Sequence, residues 1–188
     1  SSQQQLSLIT SNLGEKIDNI SNYAITLSIN SNIADVLKEN PTVPENTLEH
    51  FLVNSELTNQ AQRIIGLHKN IYAWDILDTE NHWFHSSTTE TDQLDSILGP
   101  EVLDSLQTNL AFQFLGPFQI SGEPTFVALK SITNIDNTKY LGALVLLIRE
   151  TNISSAFRDL PDSSSRDFYI TDENGQILSS SSSGGIYK

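Results

Sequence analysis

Thr125-Phe-Val-Ala-Leu-Lys-Ser-Ile-Thr133, the polar link Asn134-Ile-Asp-Asn-Thr138 and Tyr140-Leu-Gly-Ala-Leu-Val-Leu-Leu-Ile148 decide the fold. The last run is almost continuously apolar, the pattern of a central strand covered on both faces. Ahead of it, Phe112 to Leu115 and Phe118 to Ile120 have strand character on either side of a Gly116-Pro117 break, and Ser121-Gly-Glu-Pro124 turns the chain into Thr125. Polar turns join these runs, which together form the middle of an antiparallel sheet.

Upstream, Ile71-Tyr-Ala-Trp-Asp-Ile-Leu77 and His82-Trp-Phe-His-Ser86 flank the turn-forming Asp78-Thr-Glu-Asn81 and read as a β-hairpin. Leu94, Ile97, Leu98, Val102, Leu103 and Leu106 recur at helical spacing across Gly99-Pro100, which splits that segment into two short helices. At the N-terminus, Leu6, Ile9, Leu13, Ile17, Ile20, Ala24, Leu27 and Ala34 predict one helix from Leu6 to Leu37, stopped by Asn40-Pro41. Its length is roughly 30 residues, on the order of 45 Å. A second apolar line through Tyr23, Ile25, Ile29 and Ile33 places its C-terminal half on a core, leaving the N-terminal half as a stalk whose seam, Leu13 and Ile17, pairs with a second copy. Pro44-Glu45-Asn46 opens a further helix, in which Leu48, Phe51, Leu52, Ser55, Ala61, Ile64 and Ile65 are compatible with one buried face.

Downstream, Thr151 to Leu160 is a short helix capped by Thr151 or Asn152, and Pro161 to Ser165 is a polar linker. Asp167 to Thr171 and Gln176 to Ser179 flank Asp172-Glu-Asn-Gly175, an Asn-Gly hairpin signal, before a low-complexity Ser/Gly tail. The organisation is thus a stalk and core helix over 1–40, a sensor-sized domain over 41–160, and a linker with a hairpin over 161–188.

Composition narrows the function. The 188 residues carry a net charge of −13, which opposes nucleic acid and anionic headgroups as partners. Absence of cysteine removes disulfides, thiolate nucleophiles and cysteine-ligated metals. The chain has no Met and no stretch approaching about 20 apolar residues, so it is read as a domain excised from a longer, membrane-anchored protein.

The order of long helix, second helix, aromatic hairpin, helical excursion, three antiparallel strands, short helix and a final hairpin resembles Cache sensor domains, the extracytoplasmic PAS-like modules of bacterial receptors. The telling stretches are Ile71 to Asp78, the Leu141-Gly-Ala-Leu-Val145 strand with the Asn152 to Leu160 helix behind it, and Tyr169-Ile-Thr-Asp-Glu-Asn-Gly-Gln-Ile-Leu178. In combination they are most similar to ectodomains of YesM-type sensor histidine kinases of Gram-positive bacteria. The resemblance implies an α+β fold, with a long N-terminal helix packed on a PAS-like central antiparallel sheet and Asp167 to Leu178 entering a second, smaller unit. It also implies a non-catalytic module outside the cytoplasm, an extracellular small-molecule ligand, and a homodimeric receptor signalling to a cytoplasmic kinase. The rivals are an ectodomain of a chemoreceptor or membrane-bound transcription regulator, and a ligand-free structural or adhesion domain. The amino-acid-binding Cache signature, a Tyr, Arg and Trp-Tyr set followed by a later Asp, is not recognisable in this sequence.

No catalytic residue, cofactor or metal is assigned. His82 and His85 in an extended run point to opposite faces, which disfavours a joint metal site. Acidic pairs such as Asp75 with Asp78 or Asp92 with Asp95 read as solvated carboxylates, and no Gly-x-Ser-x-Gly elbow or phosphate loop is present. Among the aromatics, most of which read as core, Trp74, Trp83 and His85 combine an apolar body with a polar tip near a turn, and with Tyr72 and Phe126 they form the candidate ligand site. The expected pocket lies on one sheet face, bordered by the hairpin and the loops near Gly116 and Ser121. Lacking a basic cluster beside these aromatics, it suits a neutral or cationic ligand, a sugar or a peptide.

Overall fold

Strand β5 (Tyr140–Arg149) lies at the centre of the molecule, buried along its whole length except at its two ends. In this computed structural model, which describes residues 2–66, 68–86, 94–158, 169–171 and 177–180, it pairs on one side with β1 (Ala73–Leu77) and on the other with β4 (Glu123–Thr133). β2 (Trp83–His85) and β3 (Gln113–Ile120) complete a five-stranded antiparallel sheet in the order β2-β1-β5-β4-β3. The apolar run predicted to be central is central.

Side-chain alternation divides the interior into two clusters. One contains Trp74, Ile76, Phe84, Phe126, Leu144, Leu146 and Ile148, packed under the N-terminal helices through Ile20, Leu27, Ile33, Leu37, Leu57 and Ala61. The other contains Ala73, Leu77, Trp83, Val127, Leu129, Val145 and Leu147, covered by Leu94, Leu98 and Leu103 of α4 (Leu94–Ser105) and by Leu106 just after it. Gly99 at φ 71° interrupts α4 just before Pro100, so it is two short helices, as the sequence requires.

The N-terminal helix is not continuous. α1 (Ser2–Ser28) ends and α2 (Ser31–Glu39) begins anew, with Asn30 in extended conformation accepting a hydrogen bond from the backbone of Ile33. The polar run Ser28-Ile-Asn-Ser-Asn32 supplies an N-cap where the apolar period alone predicts more helix. Asn30→Ala is expected to cost about 1 kcal/mol in chemical denaturation; no change would mean that packing of Ile33 and Leu37 alone sets the break. The positions expected to form a seam, Leu13 and Ile17, are half-buried in the single chain. Leu13 packs against the helical-side cluster, Ile20, Ala24 and Leu27 are buried, and Lys16 Nζ donates to the carbonyl of Asn152 (2.5 Å) and to Ser155 Oγ (2.9 Å).

α3 (Leu48–Ile65) starts after the cap Thr47, not at Pro44, and buries Val53, Leu57, Ala61 and Ile65 at steps of four. Of its predicted apolar face, Ala61 and Ile65 are buried, whereas Leu48, Phe51 and Leu52 face solvent. The helix carries two apolar lines, and packing against the sheet selects one of them.

Helix α5 (Glu150–Arg158) follows β5 without a gap, so Thr151 and Asn152 lie inside it and do not cap it. β6 (Tyr169–Thr171) and β7 (Ile177–Ser180) form a separate antiparallel pair. The predicted linker over 161–165, the turn over 172–175 and the tail over 181–188 lie outside the described residues. No helix among the described residues is long and apolar enough to cross a membrane.

Candidate functional site

The sheet face under α4 carries the polar side chains of interest. Asp75, in the middle of β1, is fully buried, and the register sets it opposite His85 of β2. The His85 ring nitrogen Nδ1 lies 3.0 Å from Asp75 Oδ1. Burying a carboxylate is costly unless it is paired, and a fully buried one in the middle of an apolar strand is a departure from packing rules that points to function. His85 also stacks near Trp83 (centroids 6.2 Å apart, planes 12° apart), and the Trp83 indole N–H donates to Asp95 of α4 at 2.6 Å. The hairpin is thereby tied to the helical cover.

At the Arg149 end of β5, a second polar group forms on this same face. The Arg149 guanidinium stands over the Tyr72 ring, 3.9 Å from its centroid. It also donates to Thr125 Oγ1 (2.9 Å) and the Ile120 carbonyl (3.1 Å), with its Nε 3.0 Å from Glu123. A basic group beside these aromatics was not expected; the correction comes from strand pairing, which sets Arg149 opposite Thr125 and beside a residue far away in sequence. Gln113 of β3 extends the row that runs from His85 through Asp75, Val145 and Leu129. Its Nε2 is buried and has no hydrogen-bond partner among the described residues.

The five predicted site residues do not converge. Tyr72, Trp83 and His85 are on or beside the α4-covered face, whereas Trp74 (3% exposed) and Phe126 (2%) belong to the cluster under α1 and α3. Trp74 is one residue before Asp75 on a strand, so alternation sends its ring to the opposite face. Asp75 and Asp78, read from the sequence as solvated carboxylates, are both buried (0% and 1% exposed) because β1 and its turn lie inside the sheet, and Arg149 and Gln113 were not singled out by the sequence reading. An acid inside Ile71-Tyr-Ala-Trp-Asp-Ile-Leu77 was the available signal for Asp75.

His82 and His85 take separate partners, as their spacing predicts. His82 Nδ1 lies 3.0 Å from Asp78 Oδ2, while Asp78 Oδ1 accepts from the backbone of Glu80 and His82 and so builds the turn. Among the described residues no three His, Asp or Glu are grouped to hold a metal ion. Burial, with the negative charge of Asp78, pushes the Tyr140 phenol up to about 12. In the unfolded chain a tyrosine ionises near about 10. The raised value means that its contribution is fully present below that pH and is lost as pH rises toward about 12. Stability should therefore fall across this alkaline window, and Tyr140→Phe should flatten the fall in urea melts; an unchanged slope would remove Tyr140 as the cause.

A cavity of about 640 Å³ lies elsewhere, where the break between α1 and α2 meets the β4–β5 turn, lined by Ser28, Ile29, Asp35, Lys38, Ile135 and Leu141 among others.

No family model and no curated protein matches the sequence. Solved structures do match in fold. The ligand-binding domain of a Campylobacter jejuni chemoreceptor in complex with L-norvaline superposes with a TM-score of 0.67 at 13% identity, covering 97% of this chain and 69% of the other. That of the Pseudomonas fluorescens chemoreceptor CtaA with L-isoleucine gives 0.69 at 11%, covering 97% and 68%. The sensor domain of the V. cholerae histidine kinase DctB gives 0.66 at 16%, covering 99% and 67%. The architecture is accordingly the α+β, PAS-like fold of Cache-type sensor domains.

Proposed function

We propose that the chain is the extracytoplasmic sensing module of a bacterial transmembrane receptor, a non-catalytic domain that takes up an extracellular small molecule on the α4-covered face of the sheet. The observation that carries this reading is Asp75, a fully buried acid paired with His85 beneath an irregular helical cover. Such an acid suits a ligand with a cationic amino group, a short peptide ahead of a sugar. Trp83 and Tyr72 offer ring faces to its apolar part. Gln113 Nε2 offers a donor to a carbonyl or carboxylate. Two solved structures of this fold hold L-norvaline and L-isoleucine, which bear free amino groups.

The output is a cytoplasmic histidine kinase of the YesM type, in a homodimeric, membrane-anchored receptor in which β6 and β7 begin a membrane-proximal unit. Element order supports it, and so does the likeness to a histidine kinase sensor domain. A second reading, a chemoreceptor ectodomain, is favoured by the two chemoreceptor domains of the same fold. The residues following this segment in its parent protein separate the two.

A thermal-shift screen of peptides, amino acids and oligosaccharides tests the ligand class. A ligand present at about 100 times its Kd should stabilise the domain by about 2.7 kcal/mol. Stabilisation by oligosaccharides alone would overturn the amine reading, and a hit whose affinity is unchanged in Trp83→Ala and His85→Ala would move the site off this face.

A further inference from the structure

The first two turns of α3 present an apolar side to solvent. Leu48, Phe51 and Leu52 stand at i, i+3 and i+4, so they share one side of the helix, and they are 75%, 67% and 58% exposed. Scattered exposed apolar residues are ordinary, but contiguous large ones mark an interaction surface. The charge around them has one sign. From residue 39 to residue 62 the chain carries Glu39, Glu45, Glu49 and Glu56 and no Lys or Arg, and all four glutamates are exposed. A second copy of this face would bring those like charges together, and anionic lipid headgroups meet the same repulsion. A segment with apolar side chains on one face and lysines or arginines beside them complements both features at once.

We propose that the N-terminal half of α3 docks a cationic amphipathic peptide segment, its apolar stripe on Leu48, Phe51 and Leu52 and its basic residues against Glu45, Glu49 and Glu56. The site is distinct from the face under α4 and does not rest on the ligand reading there. It is nevertheless linked to it. From the same turns, Asn54 accepts from the backbone N–H of His85 (2.7 Å) and donates to its carbonyl (3.3 Å), covering the edge of β2. His50 Nε2 lies 3.0 Å from the Trp83 carbonyl, and its ring stacks on Phe84 at 4.8 Å. A peptide on the outer side of α3 thus bears, through one helix turn, on the strand that carries His85.

The test uses the 188-residue chain and a Trp-free synthetic helix of Leu and Lys, about 15 residues long, with a Leu/Glu peptide of the same pattern as control. Binding is followed by calorimetry and by the fluorescence of Trp74 and Trp83. The Leu/Lys peptide should bind, the Leu/Glu peptide should not, and Phe51→Ser should weaken binding about tenfold or more. The triple variant Glu45→Lys, Glu49→Lys, Glu56→Lys should weaken it comparably. These side chains are exposed, so the melting temperatures should stay close to that of the unaltered chain. Peptide affinity unchanged in Phe51→Ser would reduce the attraction to diffuse charge and overturn the proposal. So would binding of the Leu/Glu peptide, or a Phe51-dependent dimer of the chain in sedimentation equilibrium, which would give the surface to a second copy.

Discussion

Gly142→Ala is expected to destabilise the domain by about 3 kcal/mol and to lower the melting temperature by about 6–12 °C. Gly142 sits in the central strand with φ at +156°, where a Cβ would stand 2.3 Å from the backbone oxygen of Leu77 and 3.4 Å from Leu37 Cδ1. The first of these contacts is with backbone, so a side chain cannot simply rotate out of the way. β1 would have to separate from β5, or β5 from β4 at the register shift after Ile132. Either movement disturbs both interior clusters, because the strands involved separate them. Gly14→Ala is the control. It lies in α1 with nothing within 4 Å of the added atom, and should stabilise by about 0.5–1 kcal/mol. Equal and small effects at the two positions would mean that the β1–β5 approach is loose enough to absorb a methyl group.

What the sequence discloses depends on whether a signal is local or needs the register of distant strands. Tyr140 to Ile148 is legible because a strand covered on both faces leaves no polar position. Gly99-Pro100 is legible because proline cannot continue a helix. The break at Asn30 is harder, since apolar residues stay nearly in phase across it and only the capping asparagine betrays the new start. On α3, Leu48, Phe51 and Leu52 are periodic in the same sense as Val53, Leu57, Ala61 and Ile65; which line is buried is settled by packing, not by period. The site is the least legible part. The hairpin's two tryptophans look alike in sequence, yet pairing of Leu77 with Trp83 and Asp75 with His85 sends Trp83 to one face and Trp74 to the other. Arg149 meets Tyr72 only through long-range strand order, and no window of sequence contains that contact.

Phe126→Ala is expected to cost about 3–5 kcal/mol, the range for emptying a buried aromatic position, with no specific loss of ligand binding. Phe126 is 2% exposed, stacks on Phe114 with centroids 4.9 Å apart, and shares its cluster with α1 and α3. Its ring is on the side of the sheet opposite to Asp75. Denaturation should therefore register the change, while calorimetry on the folded Phe126→Leu variant, which keeps an apolar side chain there, should give the parental Kd for any ligand of the α4-covered face. Asp75→Asn should behave in the reverse manner. The amide keeps the shape and an oxygen acceptor for His85 but removes the charge that an amino group would meet, so affinity for an amine ligand should fall by more than about tenfold, the scale of one charge-assisted hydrogen bond. The two variants together test whether a ligand binds on the face that carries Asp75. If Phe126→Leu weakened binding as much as Asp75→Asn, the ligand would lie under the N-terminal helices, and the assignment of the site to β1, β2 and α4 would be wrong.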